Sequence, residues 1–371
     1  MIRTDLIAPI GDLLNRQASA HGDKIAFEDL TGGRANYAEL ALQSANLAGH
    51  LQDLGLQSGD AVVLLVPNSV NWVLGCFGTL RAGGVSVPIS HDAVEAEILY
   101  RLQDSDCRAI IVSPQHLPLI ERLRDRVPTL AHIIVATPEV APHHHALREL
   151  CTTTPSCAPR DPTDLHATAF LVYTSGTTGR AKGVMLTQHG LLWVTAACWA
   201  PIGELNEHDV MLSPLPLFHS YALSFCVLSV VAVGATEMIL ERFSIQEVLK
   251  QLTTGRYTLM PGVPTMFHYL LEAGRESATQ LASGIRHFIS AGAIMPAALN
   301  REFESVFGAP LLDGYGITET STMAIMNWPA APRVMGSCGI PIPGLTVRLV
   351  DLQGHDVAAG GEGEVIIRGP S

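Results

Sequence analysis

The 371-residue chain is 47% hydrophobic and 16% charged, and its 23 basic and 35 acidic residues leave a net charge of −12. That balance excludes a disordered chain and argues against a broad nucleic-acid surface, so recognition of phosphate must be local. Seven cysteines, at 76, 107, 151, 157, 198, 226 and 338, form no C-x-x-C pair and offer neither a zinc nor a disulfide framework; the first residues lack the apolar stretch of a signal peptide, which gives a cytoplasmic expectation.

Leu40, Leu47, Leu51 and Leu54 share one helical face that Gly55 stops, and Val62-Val-Leu-Leu-Val66 then reads as a strand ended by Pro67-Asn68. His143-His-His145 follows Ala141-Pro142 with no acidic or cysteine partner nearby in sequence and reads as a solvated loop. The polar stretch 152–164 is a linker candidate. Ala169-Phe-Leu-Val-Tyr173 and Gly183-Val-Met-Leu186 are apolar runs of strand type, and Thr187 offers an N-cap to a helix carrying Leu191, Leu192 and Val194. Residues 221–235 form the most apolar stretch, interrupted by Ser224, Ser229 and Gly234. It falls short of the ~20 residues that span a bilayer and reads as a buried helix.

Further on, Ser244-x-x-Glu247 predicts a capping box for a helix with Val248, Leu249 and Leu252 that Gly255 ends. Residues 257–260 and 285–290 read as strands, and Pro296 opens a helix with Leu299, Phe303, Val306 and Phe307 on one stripe, closed by Gly308. From Val334 short strands separated by Gly and Pro take over. The alternation predicts an α/β fold with parallel sheet layers: an N-terminal α/β subdomain over 1–160, a second over 161–332, and the start of a small β subdomain over 333–371.

Between the strands at 169–173 and 183–186 lies Tyr173-Thr-Ser-Gly-Thr-Thr-Gly-Arg-Ala-Lys-Gly183. Gly176, Gly179 and Gly183 allow positive φ, so that backbone amides turn toward an anion; Thr174, Ser175, Thr177 and Thr178 add donors and Lys182 adds charge. A triphosphate suits this chemistry. A Walker loop does not fit, because Ala181 stands where its second glycine belongs, Gly183 replaces its magnesium-binding Ser/Thr, and a strand follows where a helix is needed.

This loop resembles the phosphate-loop signature of the adenylate-forming superfamily, which comprises acyl-CoA synthetases, aryl-acid ligases, nonribosomal peptide synthetase adenylation domains and luciferases. Leu80-Arg-Ala-Gly-Gly-Val-Ser-Val-Pro88, Pro214-Leu-Pro-Leu-Phe-His219, Asp313-Gly-Tyr-Gly-Ile-Thr-Glu319, Gly336-Ser-Cys-Gly339 with Pro343-Gly344, and Gly363-Glu-Val-Ile-Ile-Arg-Gly369 resemble its other signatures in the same order. The resemblance implies ATP-dependent activation of a carboxylic acid: a carboxylate oxygen attacks the α-phosphorus, pyrophosphate leaves, and the acyl-adenylate passes to a thiol. By the same resemblance Lys182 and the loop hold the phosphates, Asp313, Gly314, Tyr315 and Gly316 flank the adenine with Tyr315 stacking, and Thr318 and Glu319 serve phosphate and Mg²⁺. Gly292 and Ala293 allow close approach of adenine and acyl carboxylate, and His219 borders that carboxylate.

Amino-acid-activating relatives place an aspartate after the aromatic of the His219 segment, and Phe218-His-Ser-Tyr-Ala-Leu-Ser224 has no carboxylate to pair with an α-ammonium. The expected substrate is therefore a fatty or aryl acid without an α-amino group, held by His219, Ser220, Tyr221, Ala222, Val263, Gly292, Gly316 and Met323. CoA is the expected acceptor; a phosphopantetheinyl carrier protein, or a binding module with weak catalysis, are the alternatives. In the family the ribose-holding aspartate, the hinge and the C-terminal domain with its lysine follow the position of Ser371, so the resemblance implies a large N-terminal domain with impaired turnover on its own.

Overall fold

The computed structural model describes all residues except 138, 139, 142 and 175–178. Among the described residues the strands form three sheets. The first has seven strands in the spatial order His145–Ala146, His132–Val135, Ala109–Val112, Ala61–Leu65, Val85–Pro88, Thr168–Thr174 and Lys182–Thr187. All its pairs are parallel except the last, an antiparallel hairpin in which Thr174 faces Lys182.

The second sheet has nine strands, in the order Ile340–Pro341, Ile325–Met326, Leu311–Tyr315, His287–Ser290, Leu259–Gly262, Val210–Ser213, Thr236–Ile239, Ile25–Asp29 and Arg34–Asn36. Its six central strands are parallel and its edges antiparallel. Thr346–Val350 and Glu364–Arg368 pair as a separate antiparallel two-stranded sheet.

Side-chain alternation along these strands builds the layers. Val62, Leu64, Ala109, Ile111 and Ile134 of the first sheet share one apolar core with Phe27, Met211, Ile239, Leu259, Ile289 and Leu312 of the second. Helices Ile10–His21, Tyr37–Asp53 and Val70–Arg81 fill the space between. The neighbouring residues Val63, Leu65, Ile110, Val112 and Ile133 face the opposite way, against Ile98, Leu102 and Ile120 of the outer helices. Leu212, Met260, Phe288 and Leu311 likewise face Val248, Phe267 and Phe303. The result is two sheets with a shared helical filling and helices on both outer faces.

Chain is exchanged between the sheets across the expected boundary at 160. The strands at 25–36 lie in the second sheet, where Phe27 pairs with Glu237, and those at 168–187 complete the first. The stretch expected as a linker has no helix or strand over 153–167, yet it is pinned along the helices. Gln52 Nε2 donates to Ala158 O at 2.8 Å, and the Arg81 guanidinium, 2% exposed, holds both oxygens of Asp161 at 2.8 Å. A polar stretch here satisfies buried donors.

Local signals translate with small corrections. Thr187 Oγ1 accepts from Gly190 N at 3.0 Å, as its N-cap role requires. Ser244 caps Glu247 N, but the Glu247 carboxylate takes Gln251 and Lys250 instead of returning to the cap, so only half of the expected box forms. The strand expected at 257–260 runs Leu259–Gly262, because Tyr257 is held back by a hydrogen bond from its hydroxyl to Gln251. The apolar stretch from 221 is helical from Ser220 to Val233, with a π-type turn over Leu223–Leu228 and a left-handed stop at Gly234.

The histidine stretch needs a larger correction. The fold places Glu121 against it, with Oε1 3.0 Å from His144 Nε2 and 3.5 Å from His143 Nε2. His144 is buried, and the His144 contact holds the Glu121 carboxyl below its ordinary range. The three side chains are close enough to share one ion. Glu121 is more than twenty residues distant in sequence, which is why no partner is visible there.

Candidate active site

The hairpin of the first sheet carries the loop expected to hold phosphate. Its base is fixed from outside: Tyr173 OH donates to Asp104 Oδ2 at 2.8 Å and Tyr100 OH donates to Ala181 O at 2.9 Å. Arg180 lies over the Tyr100 ring, 5.4 Å from its centroid. Gly179 has φ +89°, a left-handed backbone that favours glycine, and Lys182 is exposed at the first position of its strand. Ser175, Gly176, Thr177 and Thr178 lie outside the described residues.

The second sheet presents the carboxyl ends of its parallel strands to the same region, the usual ligand position of open α/β sheets. Strand Leu311–Tyr315 brings Asp313, Gly314 and Tyr315 and leads into Gly316. A Cβ at Gly316 would overlap the carbonyl of Thr322, and one at Gly314 would come within 2.7 Å of Met323 Sδ. These glycines therefore let segment 322–325 close against the strand, with Ala324 N donating to Tyr315 O at 2.9 Å. From the neighbouring strand, Ser290 leads into Ala291 and Gly292, the latter at φ +84°. His219 caps the helix that follows it: Nδ1 accepts from Tyr221 N at 3.2 Å, which leaves the proton of the neutral ring on Nε2.

These ends enclose a cavity of about 320 Å³. Of the residues expected from sequence, Thr174, His219, Ser220, Tyr221, Gly292, Gly316, Thr318, Glu319 and Met323 line it together. Ala291, Ile317 and Thr322 line it too. Sequence reasoning passed over them, although Ala291 adjoins Gly292 and Ile317 lies inside the Asp313 segment. The wall does not take in Gly179, Lys182, Asp313, Gly314, Tyr315, Ala222 or Val263. Ala222 is fully buried, and Val263 sits behind Gly292, where a Cβ on the glycine would meet its Cγ1 at 3.7 Å. Ala293 is exposed beyond the turn. A larger cavity of about 580 Å³ lies at the hairpin's far end, lined by Leu80 and Val85 of the Leu80–Pro88 segment and by Leu171 and Met185, and none of the expected site residues lines it.

Charge is sparse inside. Thr318 Oγ1 and Ser220 Oγ are buried 3.2 Å apart, while Glu319 is exposed at the rim. Desolvation lowers the His219 pKa, which favours the neutral ring, and raises that of Tyr221 well above the usual phenol. Burial pushes the Asp313 carboxyl up to about 7. Asp313 Oδ1 and Ser290 Oγ are buried without hydrogen-bond partners among the described residues. A cavity lined both by hydroxyls and by apolar side chains suits a ligand that is polar in one part and apolar in another.

The model of the AMP-binding enzyme family matches residues 14–371. The benzoate–CoA ligase of Thauera aromatica is 32% identical over 364 residues, covering 97% of this chain and 68% of that enzyme. The long-chain-fatty-acid–CoA ligase of Bacillus subtilis (strain 168) is 30% identical over 385 residues, covering 96% and 68%. The anthranilate CoA ligase AuaEII in complex with anthranoyl-AMP superposes with a TM-score of 0.91 at 27% identity, covering 97% of this chain and 70% of that one. A family match over nearly the whole length, on the fold and strand-end cavity just described, establishes that the chain belongs to the AMP-binding enzymes, the adenylate-forming acid–thiol ligase family.

Proposed function

We propose that this chain binds ATP and a carboxylic acid lacking an α-amino group in the 320 Å³ cavity and activates the acid as its acyl-adenylate, for transfer to the thiol of CoA. One observation carries the reading: hydroxyls of Thr174, Ser220 and Thr318 and the Glu319 carboxylate line one cavity at the strand ends together with His219, Tyr221 and Met323. The polar side suits phosphate and Mg²⁺, a hard cation that Glu319 would help to hold. Lys182, exposed at the start of the strand that follows the loop, would offset charge on the departing pyrophosphate by position alone. On the acid side, His219 Nε2–H is placed to donate to the carboxylate, and Gly292 and Gly316 keep the backbone clear of it. Similarity to CoA ligases favours CoA as acceptor over a carrier protein.

No carboxylate belongs to the acid side of the wall, so an α-ammonium would be desolvated without a partner. The test is calorimetric titration of the 371-residue chain with two non-hydrolysable acyl-sulfamoyl-adenosines of one skeleton, 3-phenylpropanoyl and phenylalanyl. The expected result is binding of the first with the second at least tenfold weaker. Equal affinities would remove the exclusion of amino acids, and no binding of either, or of ATP, would remove the adenylate site.

A further inference from the structure

The acid side of the cavity ends on a closed aromatic wall. Tyr221, 4% exposed, donates its hydroxyl to Ile289 O at 3.0 Å, which fixes the ring across the cavity floor. Its ring is nearly parallel to Phe225, at 3° with centroids 6.2 Å apart, and lies 5.9 Å from Trp199. Trp199 and Phe225 stack at 4.2 Å, and Trp199 Nε1 donates to Ser224 Oγ at 3.0 Å.

Two wide turns create this stack. Trp199 ends the π-type turn Thr195–Trp199, where Ala200 N reaches Thr195 O, and Phe225 sits in the π-type turn Leu223–Leu228. Such turns are uncommon inside helices and gather at functional sites. Beside them, Cys198 Sγ contacts Met326 Sδ at 3.2 Å. Trp199, Phe225, Cys198 and Met326 have no accessible surface at all, so no water-sized void touches any of them.

We infer that Tyr221, backed by Phe225 and Trp199, is a specificity wall that restricts this chain to compact acids, of the size of a single ring or a short chain, and excludes long-chain fatty acids. The inference rests on the reading of the cavity as an adenylate site. Opening a channel through the wall means breaking the Tyr221–Ile289 bond and unstacking three rings, whereas an acyl tail turned back to the mouth stays in water and gains nothing from added length. A preformed channel behaves otherwise: each further buried methylene contributes about a fourfold gain in affinity.

The experiment is a Kd series on the 371-residue chain with acetyl-, butanoyl-, hexanoyl-, benzoyl-, decanoyl- and hexadecanoyl-sulfamoyl-adenosine, with unacylated sulfamoyl-adenosine and ATP as references. Affinity is expected to rise to the hexanoyl and benzoyl compounds and then stop, with hexadecanoyl at least tenfold weaker than benzoyl. A rise that continues through hexadecanoyl overturns the wall while leaving the adenylate site standing. Failure of every compound, ATP included, overturns the adenylate reading and this inference with it. Tyr221→Ala, where it folds, is expected to shift the benzoyl-to-decanoyl preference at least tenfold toward decanoyl, and Tyr221→Phe to leave that preference in place; the unsubstituted chain decides the question without either.

Discussion

The two large sheets follow the same parallel alternation and share one core, yet they treat buried polar atoms differently. In the seven-stranded sheet, Ser86 Oγ is the buried strand side-chain atom that lacks a partner among the described residues. In the nine-stranded sheet, Ser213, Glu237, His287, Ser290 and Asp313 each carry such an atom. Two of these, Ser290 and Asp313, stand at the strand ends beside the cavity. A buried polar group without a partner costs stability, and its persistence at a site is a signature of function. The first sheet behaves as a scaffold that carries the phosphate loop on an exposed hairpin. The second carries most of its unpartnered buried polar atoms within its own strands.

Core truncation of the scaffold should have the largest effect. Phe170 is fully buried in the strand that leads into the phosphate loop, and Phe170→Ala is expected to cost about 3–5 kcal/mol in urea denaturation. Ser290→Ala, which removes an orphaned hydroxyl from the other sheet, is expected to change stability by less than about 1 kcal/mol. Comparable losses at the two positions would erase the distinction between the sheets.

Glu237 is next. It lies fully buried in strand Thr236–Ile239 beside the Ser213 hydroxyl, and burial raises its pKa well above the usual value, more than that hydroxyl lowers it. Because the folded pKa lies above the unfolded one, stability is greatest below the ordinary carboxyl pKa and falls as pH rises. Glu237→Gln is therefore expected to stabilise the chain by on the order of 2 kcal/mol at pH 8 and by little at pH 4. A destabilised Gln variant at pH 8 would mean that the Ser213 hydroxyl holds the carboxylate firmly enough to outweigh its burial.

Asp313 gives the smallest and sharpest test. Its pKa is raised from 3.8 to about 7, so the folded state holds a proton that the unfolded state releases across that window. Stability contributed here is present below pH 3.8, declines up to about 7 and is flat above. Asp313→Asn should flatten the slope of denaturation midpoint against pH over that interval and raise stability at pH 8. An unchanged slope would remove Asp313 from the polar surplus of the second sheet.

Much of the scaffold is legible residue by residue because its signals are local. The Thr187 cap, the Gly55, Gly255 and Gly308 stops and the two apolar runs that flank the expected phosphate loop depend on neighbours within a few positions, and each appears where those neighbours place it. Eight of the nine expected residues on the cavity wall come from four segments, each carrying its own pattern, and Met323 lies just beyond the last of them. Ala291, Ile317 and Thr322 escaped because a small or apolar residue beside a motif has no signature of its own until the backbone turns it inward. Val263 was drawn into the wall by its chemistry, and Gly292 stands between it and the cavity.

By itself, then, the amino-acid sequence determined the α/β alternation, the hairpin with its phosphate loop, the helix caps and the order of the motifs. These follow from hydrophobic period, backbone freedom at glycine and side-chain capping, all of them short-range. Only the tertiary structure decided that strand Ile25–Asp29 pairs with Thr236–Ile239, that Glu121 meets His143 and His144, that Glu237 is buried beside the Ser213 hydroxyl, and that Trp199 and Phe225 stack behind Tyr221. Each of these joins side chains far apart along the chain, and contact at that range is set by how layers pack and which strands become neighbours.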